Sequence, residues 1–277
     1  NSRSQAWSKN IASVGGYRHG DNANGSDDSW SRSGSTGPAN DGRIGVTFSG
    51  YYDSIFTTGY NATGYTTSFG GTSGATPMVN GISAIGIQMF TDGHLGYPAA
   101  PTWQDRYKFT PHFTTTKAML MATSQLKNFS TNTRYQQGWG TPHVKNLYDL
   151  RNNILVLDEE DVLQTRQNRT YYVFVKPGTP EFRAAMTYAD PEATANTSGP
   201  HRINSLDLSV NTPSAGRFWG NNGLLTSNAS TAGGSANDLD TEEMVVINRP
   251  AAGVYTVDVR ATAVRRDAHR ETRVTDA

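Results

Sequence analysis

The sequence predicts an α/β domain followed by an antiparallel β-rich domain, either a jelly-roll-like β-sandwich or a barrel. Up to about residue 150, short apolar segments alternate with two helical stretches and with loops rich in Gly, Ser, Asn and Asp, which is typical of an α/β domain. Beyond residue 153, short strand-like runs are separated by turn residues, which indicates antiparallel strands. We therefore expect a first domain over residues 1–155 and a β-sandwich domain over residues 156–277.

Five apolar runs predict the strands of the second domain. They cover residues 171–175, 183–188, 206–210, 244–247 and 254–259. Because side chains alternate along a strand, Leu206, Leu208 and Val210 should share one face. Asp207 and Ser209 should then point the other way.

The composition narrows the classes of function. With 35% hydrophobic and 17% charged residues among 277, the chain can bury a core. Lys plus Arg equals Asp plus Glu at 24 each, so no net field favours a nucleic acid or an anionic membrane as partner. The absence of Cys excludes disulfides, thiolate metal sites and cysteine catalysis. The longest apolar stretch, residues 82–90, is far shorter than the roughly 20 residues of a membrane helix, so we expect no membrane span.

The segment around Ser73 carries the clearest chemical signal. Gly70 and Gly71 permit a tight turn, Ser73 stands where a helix should begin, and Pro77 suits the first helical turn. A serine hydroxyl there lies at the positive end of the helix dipole, beside free N–H groups that can hold an oxyanion. Two interpretations remain open from these residues alone: Ser73 is a nucleophile for acyl transfer, or it caps a core helix.

The helix that follows should be buried. Its residues from 79 to 90 are apolar on nearly every side, and Gly81 and Gly86 permit close neighbours.

The string Gly71-Thr72-Ser73, followed by Ala75 and Pro77, resembles the serine motif of the subtilisin-like protease family. Three further segments resemble that family in the same order along the chain: residues 9–15, 35–44 and 137–140. Residues 186–191, 204–208, 219–221, 243–247 and 250–257 resemble the C-terminal β-sandwich of large bacterial alkaline subtilases. The chain departs from the family after the nucleophile, where Gly74 replaces a frequent Met.

The resemblance implies the C-terminal part of a subtilisin-like parallel-sheet catalytic domain, and a serine endopeptidase that acts on protein or peptide substrates. Ser73 would be the nucleophile, with Gly71 and Thr72 beside the substrate. In the family, the triad Asp and His precede the serine motif by a long way. We therefore expect an upstream N-terminal segment of the same protease to be the partner that supplies both. Asn1 stands at about the place of the family's oxyanion-hole Asn, although it also fits a frayed terminal residue.

The other titratable residues fit structural roles better than catalytic ones. None of the six histidines stands in a His-Gly-Thr setting, and we interpret His19, Asp41 and Asp53 as loop or turn residues. No cofactor is expected for the chemistry and no metal site is assigned. Asp190 and residues 237–240 could supply the hard oxygen ligands of a structural calcium, and they also fit solvated loops.

The resemblance further implies a secreted or extracellular protein, of bacterial origin. The alternative function is that of a degenerate subtilase fragment with a structural or binding role and no turnover. An upstream partner with Asp and His would discriminate between the two.

Overall fold

The computed structural model describes residues 4–22, 24–31, 34–60, 64–129, 134–194, 199–269 and 274–277. These residues form two compact units. The first takes in the ranges 1–39, 44–110 and 123–154, and the second takes in 40–43, 111–122 and 155–277. Residues 111–122, which the sequence assigned to the first domain, thus fall in the second unit. The division at residue 155 stays a prediction.

The described residues contain four α-helices and ten strands. The helices are α1 Thr72–Thr91, α2 Phe113–Thr123, α3 Arg134–Gln137 and α4 Val144–Leu150, with 3₁₀ turns at Ser4–Trp7 and Trp103–Lys108. The strands of the first unit are β1 Val14–Tyr17, β2 Phe48–Tyr51, β3 Ile55–Thr58 and β4 Tyr65–Phe69. Those of the second unit are β5 Asn168–Val175, β6 Glu181–Thr187, β7 Ser205–Asn211, β8 Arg217–Trp219, β9 Glu242–Asn248 and β10 Gly253–Ala263.

The first unit is built on a parallel pair of strands with α1 packed across it. β1 and β2 pair in register from Val14↔Phe48 to Tyr17↔Tyr51, and α1 contacts both strands. A Cβ added at Gly50 would already touch Ala75 at 3.4 Å, so strand and helix lie in direct contact. The predicted α/β class with a parallel sheet is confirmed in this coarse form.

Helix α1 is buried on one face only. It begins at Thr72, one residue before the predicted start. Its buried residues are Gly74, Ala75, Val79, Gly86, Met89, Phe90 and Thr91, whereas Ala84 is exposed and Ile85 is 46% exposed. The expectation of a helix buried all round is therefore wrong for the face that carries Ala84 and Ile85, which is exposed among the described residues.

The second unit contains two antiparallel sheets. One has four strands in the order β5-β10-β7-β8, and the other pairs β6 with β9. Each of the five predicted apolar runs overlaps one of these strands. The strands are there because β-branched and aromatic residues fill them and turn residues such as Gly178 at φ +76° separate them.

Side chains from both sheets share one hydrophobic core. Leu206, Leu208 and Val210 of β7 belong to it together with Val245 of β9, as the predicted alternation requires. Asp207 lies outside this cluster and is nevertheless buried, with its carboxylate accepting a hydrogen bond from the Thr262 hydroxyl at 2.6 Å. The arrangement of the two sheets as a sandwich stays a prediction.

A buried carboxyl group ties β9 to β7. The Oε2 atom of Glu243 accepts a hydrogen bond from the Leu208 amide at 2.8 Å, and Arg202 Nη1 lies 3.7 Å from Oε1. Burial raises the pKa of Glu243 well above its usual range, although the Leu208 hydrogen bond acts in the opposite direction. Gly220 permits this contact, because a Cβ there would collide with the Glu243 carboxyl group.

We expect Leu208→Ala to lower the free energy of unfolding of the second unit by about 2–5 kcal/mol, because it leaves a cavity in the shared core. Leu208 is 1% exposed, and the matched control is Leu155→Ala in the same unit, where the side chain is 61% exposed. Urea unfolding followed by circular dichroism measures both. Equal losses in the two variants would show that Leu208 is not a core residue.

Candidate functional site

The turn that leads into α1 is anchored on the end of β2. A Cβ at Gly70 would lie 2.6 Å from the carbonyl oxygen of Tyr52, and the Gly71 amide donates a hydrogen bond to that same oxygen at 2.6 Å. Gly71 also has φ +83°, which L side chains rarely adopt. Both glycines are therefore required for the backbone to pass this close to Tyr52.

Ser73 is the second residue of α1, and it is exposed. The amides of Gly74 and Ala75 both donate to the Gly71 carbonyl, at 2.9 and 3.4 Å. Among the described residues, neither the Ser73 amide nor its hydroxyl has a hydrogen-bond partner. An exposed hydroxyl and a free amide thus stand together at the positive end of a 20-residue helix, where negative charge is stabilised.

The other predicted site residues are placed as follows. Gly71 is the exposed residue that precedes the helix, and Thr72 is half-buried, with its carbonyl accepting a hydrogen bond from the Thr76 hydroxyl at 2.8 Å. Asn1 lies outside the described residues. The structure therefore brings Gly71, Thr72 and Ser73 together in one turn.

Two side chains occupy the space beside Gly74. A Cβ at Gly74 would collide with the end of Ile55 and would lie 3.3 Å from the Phe69 ring. The larger residue that the family often has at this point would not fit here. The absence of a side chain at Gly74 thus leaves room for the side chains of Ile55 and Phe69, which belong to the preceding hairpin.

The hairpin of β3 and β4, which leads into the serine turn, carries an exposed aromatic surface. The rings of Phe56 and Tyr65 stack with centroids 5.2 Å apart, and both are largely exposed. β4 ends at Phe69, directly before the glycine pair. Sequence reasoning missed this surface, because the aromatic pair forms only through the β3–β4 pairing.

A histidine and an aspartate meet at the carboxyl end of the parallel sheet. His19 Nδ1 lies 2.9 Å from Asp53 Oδ1, and the His19 amide donates to the same oxygen at 2.9 Å. The His19 ring stacks on Tyr51 at 4.6 Å. His19 follows Tyr17 by two residues and Asp53 follows Tyr51 by two residues, and Tyr17 pairs with Tyr51 in the parallel sheet. Knowledge of this register could have revealed the pair from the sequence.

The pairing alters the acidity of Asp53. Burial raises the pKa of this carboxyl group, but the hydrogen bonds from the His19 ring and amide outweigh it, and the net pKa is lowered. Asp53 follows Tyr52, whose carbonyl anchors Gly71. The pair therefore holds the segment against which the serine turn is packed.

Asp41 serves a structural role, in agreement with its interpretation as a loop residue. Its Oδ2 accepts hydrogen bonds from Arg43 Nε at 2.7 Å and from the His201 amide at 3.2 Å.

Three of the residues considered for calcium, Asp190, Asn237 and Asp240, already use side-chain oxygens within the chain. Both oxygens of Asp190 accept backbone amides, from Ile203 at 2.9 Å and Asn204 at 2.8 Å. The Asn237 side-chain oxygen likewise accepts the amide of Asp240 at 2.9 Å. In the part of the chain that the structure describes, no group of three or more His, Cys, Asp or Glu residues is placed to hold a metal ion. Structural calcium stays an untested prediction.

Parts of this chain are similar to a known protein family and to a solved structure. The subtilase family model, peptidase S8, matches residues 2–140, half of the 277-residue chain. No curated protein matches the chain. A similar solved structure is the serine protease of Aeromonas sobria, with 14% identity, a TM-score of 0.28, and coverage of 79% of this chain and 47% of that one. The chain therefore spans about half the length of that protease. No helix in the described ranges is long and apolar enough to cross a membrane.

We expect Gly70→Ala to distort the serine turn, because the added Cβ would lie 2.6 Å from the Tyr52 carbonyl. The variant should be destabilised by about 1–3 kcal/mol, the usual cost of overpacking. Gly64→Ala is the matched control, since nothing lies within 4 Å of a Cβ at that position. Thermal unfolding measures both, and an unchanged Gly70→Ala midpoint would contradict the close approach.

We expect His19→Gln to raise the pKa of Asp53 toward the ordinary value of about 3.9, because the imidazole, whose hydrogen bond and charge lower that pKa, is replaced by a neutral amide. A carboxyl group with a lowered folded pKa contributes stability above its unfolded pKa, and that contribution disappears as pH falls through the folded pKa. Acidification below about pH 4 should therefore destabilise the parent chain more than the variant. Carbon-detected NMR titration of Asp53 measures the pKa directly.

The control for this experiment is His112→Gln, which removes an exposed histidine that pairs with Asp158 in the second unit. It should leave the titration of Asp53 unchanged. If His19→Gln also leaves it unchanged, the pair does not set the acidity of Asp53.

Proposed function

Because this chain belongs to the subtilase family, we propose that it supplies the nucleophile of a serine endopeptidase, and that the nucleophile is Ser73. One observation carries the assignment: Ser73 is exposed at the start of α1, and neither its hydroxyl nor its amide has a hydrogen-bond partner among the described residues. The turn before it requires glycine. A serine that merely capped the helix would direct its oxygen to an amide of the first turn. No such hydrogen bond is present among the described residues.

The proposed reaction follows the acyl-enzyme route. Ser73 Oγ attacks the carbonyl carbon of a peptide bond while a histidine takes the hydroxyl proton. The Ser73 amide stabilises the oxyanion of the tetrahedral intermediate, together with an Asn side chain for which Asn1 is the candidate in this chain. The histidine then protonates the departing amine, and water releases the acyl group. Gly71 and Thr72 border the position of the reacting carbonyl.

The Asp and His of the triad are proposed to come from an upstream segment of the same protease. The described histidines do not bond to Ser73, and His19 is engaged with Asp53. The parallel sheet has two strands within the described residues, whereas parallel sheets are normally covered and extended on both sides. The exposed face of α1 at Ala84 and Ile85 offers apolar surface that such a segment would cover.

The setting of the enzyme belongs to the same proposal. We infer protein or peptide substrates, and a secreted protein of bacterial origin. The β-rich residues from 156 onward are proposed to form a sandwich that stabilises the catalytic domain or contacts substrate. The exposed Phe56–Tyr65 pair supports a role of the hairpin in substrate contact, because exposed aromatic rings are favoured at binding surfaces.

The rival is a degenerate subtilase fragment with a structural or binding role. It is favoured by the lack of any described histidine bonded to Ser73. The two proposals differ in whether an upstream polypeptide with Asp and His accompanies the chain, and in whether Ser73 reacts.

We expect Ser73→Ala to lower kcat of the protease that contains this chain by about 10⁴-fold or more, with little change in KM, because the nucleophile is lost. A fluorophosphonate probe should label the parent at Ser73 and should not label the variant. Peptide hydrolysis and mass spectrometry of the labelled peptide measure these effects.

The matched control is Ser68→Ala, which removes an exposed serine at the end of β4, five residues before the nucleophile. It should keep both activity and labelling. Full activity in Ser73→Ala, or labelling at another serine, would refute the assignment.

A further inference from the structure

Among the described strands, none pairs with the outer edge of β5 in the four-stranded sheet. β5 stands at the end of the order β5-β10-β7-β8 and pairs with β10 along its whole length. Within the described part of the chain, the backbone groups of residues 170–175 bond to no partner outside β10. One row of N–H and C=O groups on β5 is therefore open to a further strand.

The features that usually prevent pairing stand only at the ends of this edge, where Arg169 lies within β5 and Lys176 and Pro177 directly follow it. Natural edge strands are commonly short, bulged, or interrupted by Pro, Lys or another charge. Residues 170–175 contain no Pro and no charged side chain, and the register with β10 is unbroken from Gly253↔Val175 to Arg260↔Asn168. β5 is also eight residues long, whereas β8 at the opposite edge has three.

The exposed face of β5 carries aromatic side chains at strand spacing. Tyr172 is 73% exposed and Phe174 is 63% exposed, on the same face of the strand. Val254 of β10 pairs in register with Phe174 and is 54% exposed. Side chains on one face of an extended chain recur about every 7 Å, so alternate side chains of an added strand would meet these residues in turn.

We propose that the β5 edge binds an extended peptide segment, which adds to the sheet as a further strand. A row of alternating donors and acceptors is complementary to another extended backbone, and Tyr172 and Phe174 select apolar side chains at alternate positions. That this segment belongs to a protein substrate rests on the proposed function, since a peptidase meets extended polypeptide. The site holds the substrate through residues other than those around the cleaved bond.

The test measures binding without turnover, using the chain with Ser73→Ala. The probe is the peptide acetyl-Thr-Val-Thr-Val-Thr-Val-Thr-amide, compared with two analogues that are N-methylated either on the valines or on the inner threonines. A strand offers the N–H groups of alternate residues to one neighbour. One analogue should therefore bind about tenfold more weakly than the parent peptide, and the parent peptide should shift the amide NMR signals of residues 170–175. Equal binding of all three peptides would overturn the proposal.

Protein variants provide the second arm. Tyr172→Lys and Phe174→Lys should each weaken binding about tenfold, because a charge blocks an edge and removes apolar contact. The control Tyr107→Lys changes a side chain that is largely exposed in the first unit and should leave binding unchanged. A concentration-dependent dimer that Tyr172→Lys abolishes would overturn the proposal in favour of a second copy as the occupant. Because no cleavage is involved, failure of the Ser73 assignment would leave these results intact.

Discussion

The site depends on the close passage of the chain over the Tyr52 carbonyl. That one oxygen accepts the Gly71 amide at 2.6 Å, and it leaves no room for a Cβ at Gly70. Because Tyr52 directly follows β2, the contact fixes the start of α1 to the carboxyl end of the parallel sheet. The exposure of Ser73, its unbonded amide and its place at the helix dipole all follow from this anchor.

The sequence predicted the features that depend on local chemistry. The glycine pair and Pro77 placed the helix start to within one residue, and the five apolar runs each overlap an antiparallel strand. The features it missed depend on pairing between distant segments. His19 and Asp53 are 34 residues apart in the sequence, and they meet because β1 and β2 pair in parallel. The apolar composition of α1 likewise could not reveal which face its neighbours leave exposed.

Polar pairs in the two units are buried to different degrees. In the first unit, His19 and Asp53 are half-buried, and Asp53 directly follows Tyr52, whose carbonyl anchors the serine turn. In the second unit, Glu243 and Asp207 are buried among strands and accept hydrogen bonds from backbone and hydroxyl donors, so they serve the packing of the sheets.

We propose that this chain contributes the nucleophile while another polypeptide segment contributes Asp and His. The decisive measurement is intact-mass and peptide analysis of fluorophosphonate-labelled, active enzyme from its natural source. We expect the label on the peptide that contains Ser73, together with peptides that carry upstream Asp-x-Gly and His-Gly-Thr sequences. An active, labelled species that consists only of these 277 residues would refute the proposal.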